Sequence, residues 1–95
     1  MIKHVVLYRI KEDHKKDIPQ LVKNFYSMKG KIEGLLDLES GMDILGSARS
    51  YDMALVTTFE SMDAFKAYQT HPVHLPVKAK VFDAVESSVS CDFEL

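Results

Sequence analysis

Stretches in which apolar and polar side chains alternate predict four β-strands. Residues 2–11 are rich in β-branched and aromatic side chains, which favour the pleated, half-buried surface of a sheet. The same criteria predict strands at 36–44, 51–59 and 85–93. Within the second of these strands, Gly41 is expected to form a bulge or to weaken the pairing.

Helical periodicity follows the first predicted strand. Apolar side chains recur at steps of three and four residues between 18 and 28, the spacing of one face of an amphipathic helix. The polar segment 12–17 is expected to break the strand, and Asp17 to cap the helix that follows. Gly30 and Gly34 are expected to end this helix and to form the next turn.

Two further helices are predicted between the third and fourth strands. Ser61 is a suitable N-cap, and the spacing over 62–69 turns Phe65 and Tyr68 inward. A short third helix is predicted at 76–82, with proline at its first position.

The predicted order is β-α-β-β-α-β, the split-βαβ, ferredoxin-like arrangement of an α+β domain. It places both long helices on one face of a four-stranded antiparallel sheet. The chain has 95 residues and no repeat or Gly/Ser/Pro-rich linker, so residues 1–95 are expected to form a single domain.

Apolar side chains lie on both faces of the predicted sheet, although the helices can cover only one face. An antiparallel sheet with one solvated face shows cleaner alternation. The uncovered face is therefore expected to bind a second copy of the chain, sheet against sheet. Its central side chains are Val5, Leu7, Ala54, Val56, Val89, Cys91 and Phe93.

Composition removes several functional classes. Twelve basic and 14 acidic residues give a net charge of −2, which argues against a nucleic-acid-binding protein. No apolar run approaches the roughly 20 residues of a membrane span, and no signal peptide is recognisable. Cys91 is the single cysteine, so an intramolecular disulfide is excluded and a cytoplasmic location is expected. We expect Cys91 to be a small buried apolar residue of the dimer face.

Neither a metal site nor a cofactor site is predicted. His71 and His74 are three positions apart, but Pro72 disfavours a helical turn between them and no third ligand is assured. His71 is expected to cap the helix end or to bond to a backbone carbonyl. The chain also lacks a phosphate-binding glycine loop, a Walker lysine and a Gly-x-Ser-x-Gly elbow.

Several segments carry a family resemblance over nearly the whole chain. They are residues 1–7 (MIKHVVL), 51–56 (YDMALV), 59–61 (FES), 68–74 (YQTHPVH) and 92–94 (DFE). In these segments the chain resembles the stress-responsive A/B barrel (Dabb) family. The resemblance implies a homodimeric α+β barrel, and most members of the family have no established reaction.

One branch of the family implies chemistry. Plant polyketide cyclases of this fold use a tyrosine and a histidine, without a cofactor, for acid–base catalysis of an aldol ring closure. By resemblance these roles fall on Tyr68 and His74, with Asp92 as the group that orients the histidine and His4 as a pocket residue. A neutral imidazole can remove a proton, and a phenol can donate a hydrogen bond to the developing enolate oxygen.

The chain departs from that branch at its pocket. Met53 stands where a strand-three histidine is found in the cyclases, and Ser88 and Ser90 stand where large apolar residues are found. The cyclase substrate and its long-chain pocket are therefore not carried over.

Three functional interpretations remain open. The first is a small stress-associated or ligand-binding protein without cofactor, with a pocket lined by His4, Val6, Tyr8, Phe25, Tyr68, His74 and Asp92. The alternative is a cofactor-independent cyclase, lyase or isomerase that acts on a small carbonyl compound through Tyr68 and His74. The third, a cofactor-free monooxygenase, rests on fold analogy alone. Structural roles also explain these residues, since an inward tyrosine usually belongs to the core and a structural His–Asp or His–Tyr hydrogen bond accounts for His4 and Asp92.

Overall fold

The computed structural model describes residues 1–95 and contains one four-stranded antiparallel sheet with three α-helices. The elements are β1 (Ile2–Ile10), α1 (Ile18–Tyr26), β2 (Leu35–Met42), β3 (Met53–Phe59), α2 (Met62–Gln69), α3 (His74–Ala84) and β4 (Val85–Glu94). The strand order is β2-β3-β1-β4. This order confirms the predicted ferredoxin-like, split-βαβ arrangement. None of the three α-helices combines the length and the apolar composition that a membrane-spanning helix requires.

The helix starts differ from the prediction. Residues Glu12–Asp17, expected to be a simple break, form a 3₁₀-helix. The Asp17 carboxylate does not cap α1 and lies 3.2 Å from Nδ1 of His14 instead. Helix α3 begins at His74, two residues earlier than predicted. Pro76 does not prevent this because it falls in the first turn, where a backbone N–H has no intrahelical partner.

The second strand is shorter than predicted at its C-terminal end. It stops at Met42, and Ile44 lies in the following loop with 99% of its surface exposed. The Asp43 carboxylate accepts a hydrogen bond from the backbone N–H of Gly46 at 2.6 Å. This side-chain-to-backbone turn ends the strand.

The expected bulge at Gly41 was wrong. Gly41 pairs regularly with Ala54, and the irregularity in this strand pair lies between Leu35 and Asp37. The other strand ends differ from the prediction by at most two residues.

The core lies between the helices and one face of the sheet. As predicted, α1 buries Ile18, Leu21 and Phe25 on a single stripe. Phe59 of β3 is fully buried and contacts Tyr68 of α2, with ring centroids 4.9 Å apart. Because α2 is packed against β3 in this way, the position of Tyr68 is fixed by the core.

The opposite face of the sheet carries no helix. Val5 of β1 lies directly between Val56 of β3 and Cys91 of β4. Leu7 and Phe93, on the same face, are 36% and 44% exposed, and Cys91 is also exposed in the single chain. The predicted assignment of these side chains to the face without helices is therefore correct, and this apolar face of the sheet is exposed to solvent in the single chain.

Candidate functional site

The junction between α2 and α3 brings Tyr68 against His74. Ser61 starts α2 by accepting a hydrogen bond from the Ala64 N–H at 3.1 Å, as predicted. Tyr68 lies in the last turn of this helix, and His74 is the first residue of α3. Their rings are stacked, with centroids 3.9 Å apart and an angle of 22° between the planes.

His71 stabilises the turn between these two helices. Its Nδ1 accepts a hydrogen bond from the backbone N–H of Val73 at 3.0 Å. Neither predicted role is found: His71 was expected to cap the helix end or to bond to a backbone carbonyl, but it accepts from a backbone N–H within the turn, and α3 has no side-chain cap. His71 does not line the cavity that contains His74.

The hydrogen bond of His74 determines which ring nitrogen carries the proton. Its Nδ1 lies 3.0 Å from the backbone carbonyl oxygen of Tyr68. A carbonyl can only accept, so Nδ1 donates and the neutral imidazole keeps its lone pair on Nε2. This is the tautomer in which Nε2 can act as a base.

Burial keeps His74 neutral. Only 7% of its surface is exposed, and this burial holds the pKa of His74 below its usual value. Hydrogen bonding to the backbone of Tyr68, and to a smaller extent of Gln69, opposes this lowering of the pKa, while the positive charge of Lys78 acts in the same direction as burial. At neutral pH the imidazole is therefore unprotonated.

Two tyrosines, Tyr8 and Tyr68, line the same cavity as this base. Burial raises the pKa of Tyr8 to about 12 and raises the pKa of Tyr68 still further above its usual value, so both remain protonated at neutral pH. The Tyr68 hydroxyl makes no hydrogen bond within the protein. Every fully buried side-chain oxygen and nitrogen does have a hydrogen-bond partner, so this hydroxyl is not fully buried. The hydroxyl therefore reaches the cavity and is available to a ligand.

Asp92 pairs with His4 rather than with His74. The two residues face each other across the β1–β4 pair, and the Asp92 carboxylate contacts Nδ1 of His4. Nδ1 of His74 is already taken by the Tyr68 carbonyl. The resemblance implied that Asp92 orients His74, but in this chain Asp92 orients His4. The backbone carbonyl of Tyr68 orients His74 instead.

One cavity of about 290 Å³ collects the candidate side chains. It lies between the sheet and helices α2 and α3. The structure places six of the seven predicted pocket residues on its wall, namely His4, Val6, Tyr8, Phe25, Tyr68 and His74, and Asp92 outside it. No three histidine, cysteine or carboxylate side chains lie close enough together to hold a metal ion.

Sequence reasoning missed most of the wall formed by α3, together with single residues of β3, α2 and β4. These lining residues are Leu55, Gln69, Lys78, Val81, Phe82 and Val85. Ser88 and Ser90, which the resemblance placed at pocket positions, also line the cavity. Helical spacing could have identified Lys78, because it lies four residues after His74 on the same helix face. The signal was lost because α3 was expected to start after His74.

The fold and the site define a ferredoxin-like α+β domain with a ligand-sized cavity between its helices and sheet. The chain matches the stress responsive A/B barrel domain family over residues 2–95, and it belongs to that family. It is 30% identical to a stress-response A/B barrel domain-containing protein of Arabidopsis thaliana, over 96% of this chain and 83% of the relative.

Solved structures share the same fold. A dimeric ferredoxin-like protein of unknown function from Thermobifida fusca superposes with a TM-score of 0.89 at 27% identity, over 99% of this chain and 90% of that chain. A hydroxynitrile lyase from Passiflora edulis superposes with a TM-score of 0.84 at 21% identity, over 99% and 92% of the two chains. At 21% identity the likeness to the lyase extends to the fold alone.

Proposed function

We propose that this chain forms a homodimer in which each subunit binds a small carbonyl compound in the cavity between its helices and sheet. The observation that carries the proposal is the Tyr68 hydroxyl, a protonated donor that has no partner in the protein and borders the cavity. A ligand carbonyl oxygen would accept its hydrogen bond. Val6 and Phe25 give the same cavity an apolar wall, as is typical of small-molecule sites.

The homodimer is supported by the uncovered sheet face. Val5, Leu7, Val56 and Phe93 are the proposed centre of the interface, because they form the apolar part of a face that no helix covers. The Thermobifida relative is described as dimeric. An isologous sheet-to-sheet contact would place this patch against its own copy.

Sedimentation velocity tests the dimer. Val56→Asp places a charge at the centre of the proposed interface, and we expect it to convert the protein to a monomer. Leu75→Asp is the matched control, because Leu75 is 46% exposed on α3, in the helix layer. A Val56→Asp variant that sediments like the wild type would contradict the proposed interface.

Ligand binding is tested with acetophenone as the probe. Titration of the protein with acetophenone should shift the NMR signals of Tyr68 and His74. Tyr68→Phe should weaken binding about fivefold to tenfold, because it removes one hydrogen bond of about 1 kcal/mol. Unchanged signals for both residues would contradict the proposed site.

A second function, proton abstraction next to the carbonyl group, is favoured by the neutral His74. With the carbonyl oxygen bound to the Tyr68 hydroxyl, His74 Nε2 would take a proton from the adjacent carbon. The C–H bond breaks, an N–H bond forms, and the electron pair moves onto the carbonyl oxygen as an enolate. A hydrogen bond to that oxygen strengthens as its negative charge develops. A lyase on the same fold, from Passiflora edulis, supports testing this chain for catalysis.

Deuterium exchange measures this step directly. In heavy water the wild type should accelerate exchange of the methyl protons of acetophenone. His74→Asn keeps a donor for the Tyr68 carbonyl but removes the Nε2 base, and we expect it to lower the rate by about 10²-fold or more. Equal rates for both proteins would reject the catalytic function and leave the binding function standing.

A cytoplasmic location is proposed from the sequence alone, in which Cys91 is the single cysteine. Cell fractionation followed by immunoblotting tests it. Recovery of the protein mainly in a membrane or secreted fraction would contradict the proposal.

A further inference from the structure

Lys78 brings a positive charge to the wall of the cavity. It lies one helical turn after His74 on α3, so both side chains share a helix face. Of the residues that line the cavity, Lys78 is the single one with a lysine, arginine or carboxylate side chain. None of the ion pairs of the structure includes it. Its charge is therefore available to a ligand.

The mouth of the cavity lies between α3 and β4. Ser88 and Ser90 of β4 line it from one side and are exposed to solvent. Phe82, one helical turn after Lys78, lines it from the other side and is 77% exposed. The opening thus combines one cation, two hydroxyl groups and one aromatic surface.

These groups fit a ligand with a single negative charge and an apolar body. Lys78 and Asp83 both border a second depression on the surface of α3, but they form no ion pair with each other. A phosphate group, with close to two negative charges, is usually bound by several cations or by backbone N–H groups. One lysine flanked by hydroxyl groups is better matched to one carboxylate.

We propose that the cavity takes a small oxo acid, a carbonyl compound that also carries a carboxylate, and that Lys78 binds the carboxylate. The carbonyl group then lies deeper in the cavity, beside Tyr68 and His74. This inference rests on the proposed ligand-binding function and gives it a substrate class. Lys78 is a specificity-determining residue in this arrangement.

A matched pair of probes tests the inference by calorimetry. β-Benzoylpropionate carries the carboxylate, and β-benzoylpropionamide has nearly the same shape without the charge. The wild type should bind the carboxylate about tenfold more tightly than the amide, since a hydrogen bond to a charged group is worth more than a neutral one. Lys78→Gln should abolish this preference, so that the carboxylate and the amide bind with equal affinity.

Lys80→Gln provides the control, because Lys80 is exposed on the same helix and does not line the cavity. It should retain the full preference for the carboxylate. Raising the salt concentration should reduce the preference in the wild type, since exposed charges are screened.

The possible outcomes separate the two proposals. Equal affinities of the wild type for carboxylate and amide would overturn the role of Lys78 while leaving the binding function intact. A loss of preference in Lys80→Gln as large as in Lys78→Gln would likewise overturn it, since the effect would then follow from net charge alone. Failure of the wild type to bind either probe would overturn both proposals.

Discussion

Tyr68 and His74 contact each other in two ways at once. The rings are stacked with centroids 3.9 Å apart, and the backbone carbonyl of Tyr68 accepts a hydrogen bond from Nδ1 of His74 at 3.0 Å. One residue thus covers the imidazole and also fixes its tautomer. The Tyr68 hydroxyl and Nε2 of His74 are not bonded to each other, so both remain available to a ligand.

The stability of the protein should fall as the pH drops below about 6.5, the usual pKa of histidine. Burial lowers the pKa of His74 in the folded state, so the unfolded chain takes up a proton first and acid favours unfolding. The contribution of His74 to the free energy of unfolding is fully present above the pKa that His74 has in the unfolded chain. It is lost as the pH falls toward the pKa that His74 has in the folded protein. One proton changes the free energy of unfolding by at most about 1.4 kcal/mol per pH unit.

Urea denaturation at several pH values measures this effect. In His74→Asn the pH-dependent contribution of His74 to the free energy of unfolding should be absent, because asparagine does not titrate. The asparagine amide can still donate a hydrogen bond to the Tyr68 carbonyl. The difference between the two curves isolates His74 from the other titrating groups. Parallel curves for wild type and variant would show that His74 is not held neutral by the fold.

Tyr68→Phe should leave the fold almost unchanged. The hydrogen bond between Tyr68 and His74 uses the Tyr68 backbone carbonyl and not its hydroxyl, so removal of the hydroxyl should change the free energy of unfolding by less than about 1 kcal/mol. Tyr68→Ala removes a ring that is only 2% exposed and should cost about 3–5 kcal/mol. Thermal denaturation compares the two variants. A loss of several kcal/mol in Tyr68→Phe would mean that the hydroxyl has a structural role.

Changing Asp92 should affect His4 and leave His74 unaffected. Asp92→Ala removes the contact with His4, and since the Asp92 side chain is 38% exposed we expect a loss of at most about 1 kcal/mol. Asp92→Asn should retain much of the interaction as a hydrogen bond. NMR spectra of the histidine rings provide the measurement. Movement of the His74 signals with unchanged His4 signals would refute this assignment.

Gly34 permits a close approach between the turn before β2 and helix α2. Its φ is +82°, and an added Cβ would lie 2.5 Å from Cβ of Ala64. Gly30 has a similar φ of +80° but open space around it. Gly30→Ala should cost about 1–2 kcal/mol from backbone strain, and Gly34→Ala should cost about 1–3 kcal/mol more. Equal losses in chemical denaturation would show that the contact with Ala64 is unimportant.

Alternation along β1 made one side of the site predictable. His4, Val6 and Tyr8 face the helices because they alternate with Val5 and Leu7, and this periodicity is visible in the sequence. The inward position of Tyr68 followed from helical spacing in the same way. The direction in which these side chains point follows from local backbone geometry alone.

The partner of Asp92 and the position of Lys78 depend on how separate elements meet. Asp92 faces His4 because of the β1–β4 register, which is set by the whole sheet. Lys78 shares a helix face with His74 only because α3 begins at His74, after a turn that Nδ1 of His71 stabilises. Pro72 and Pro76, on either side of His74, obscured that helix start in the sequence.

The central claim is that the fold presents a neutral His74, with its lone pair on Nε2, to the cavity. Nitrogen-15 NMR of the histidine rings across a pH titration tests this claim most directly, with His74→Asn providing the assignment. We predict a proton on Nδ1, an unprotonated Nε2 and a pKa below the usual value of about 6.5. A proton on Nε2 in the neutral form, or a pKa at or above the usual value, would contradict the account.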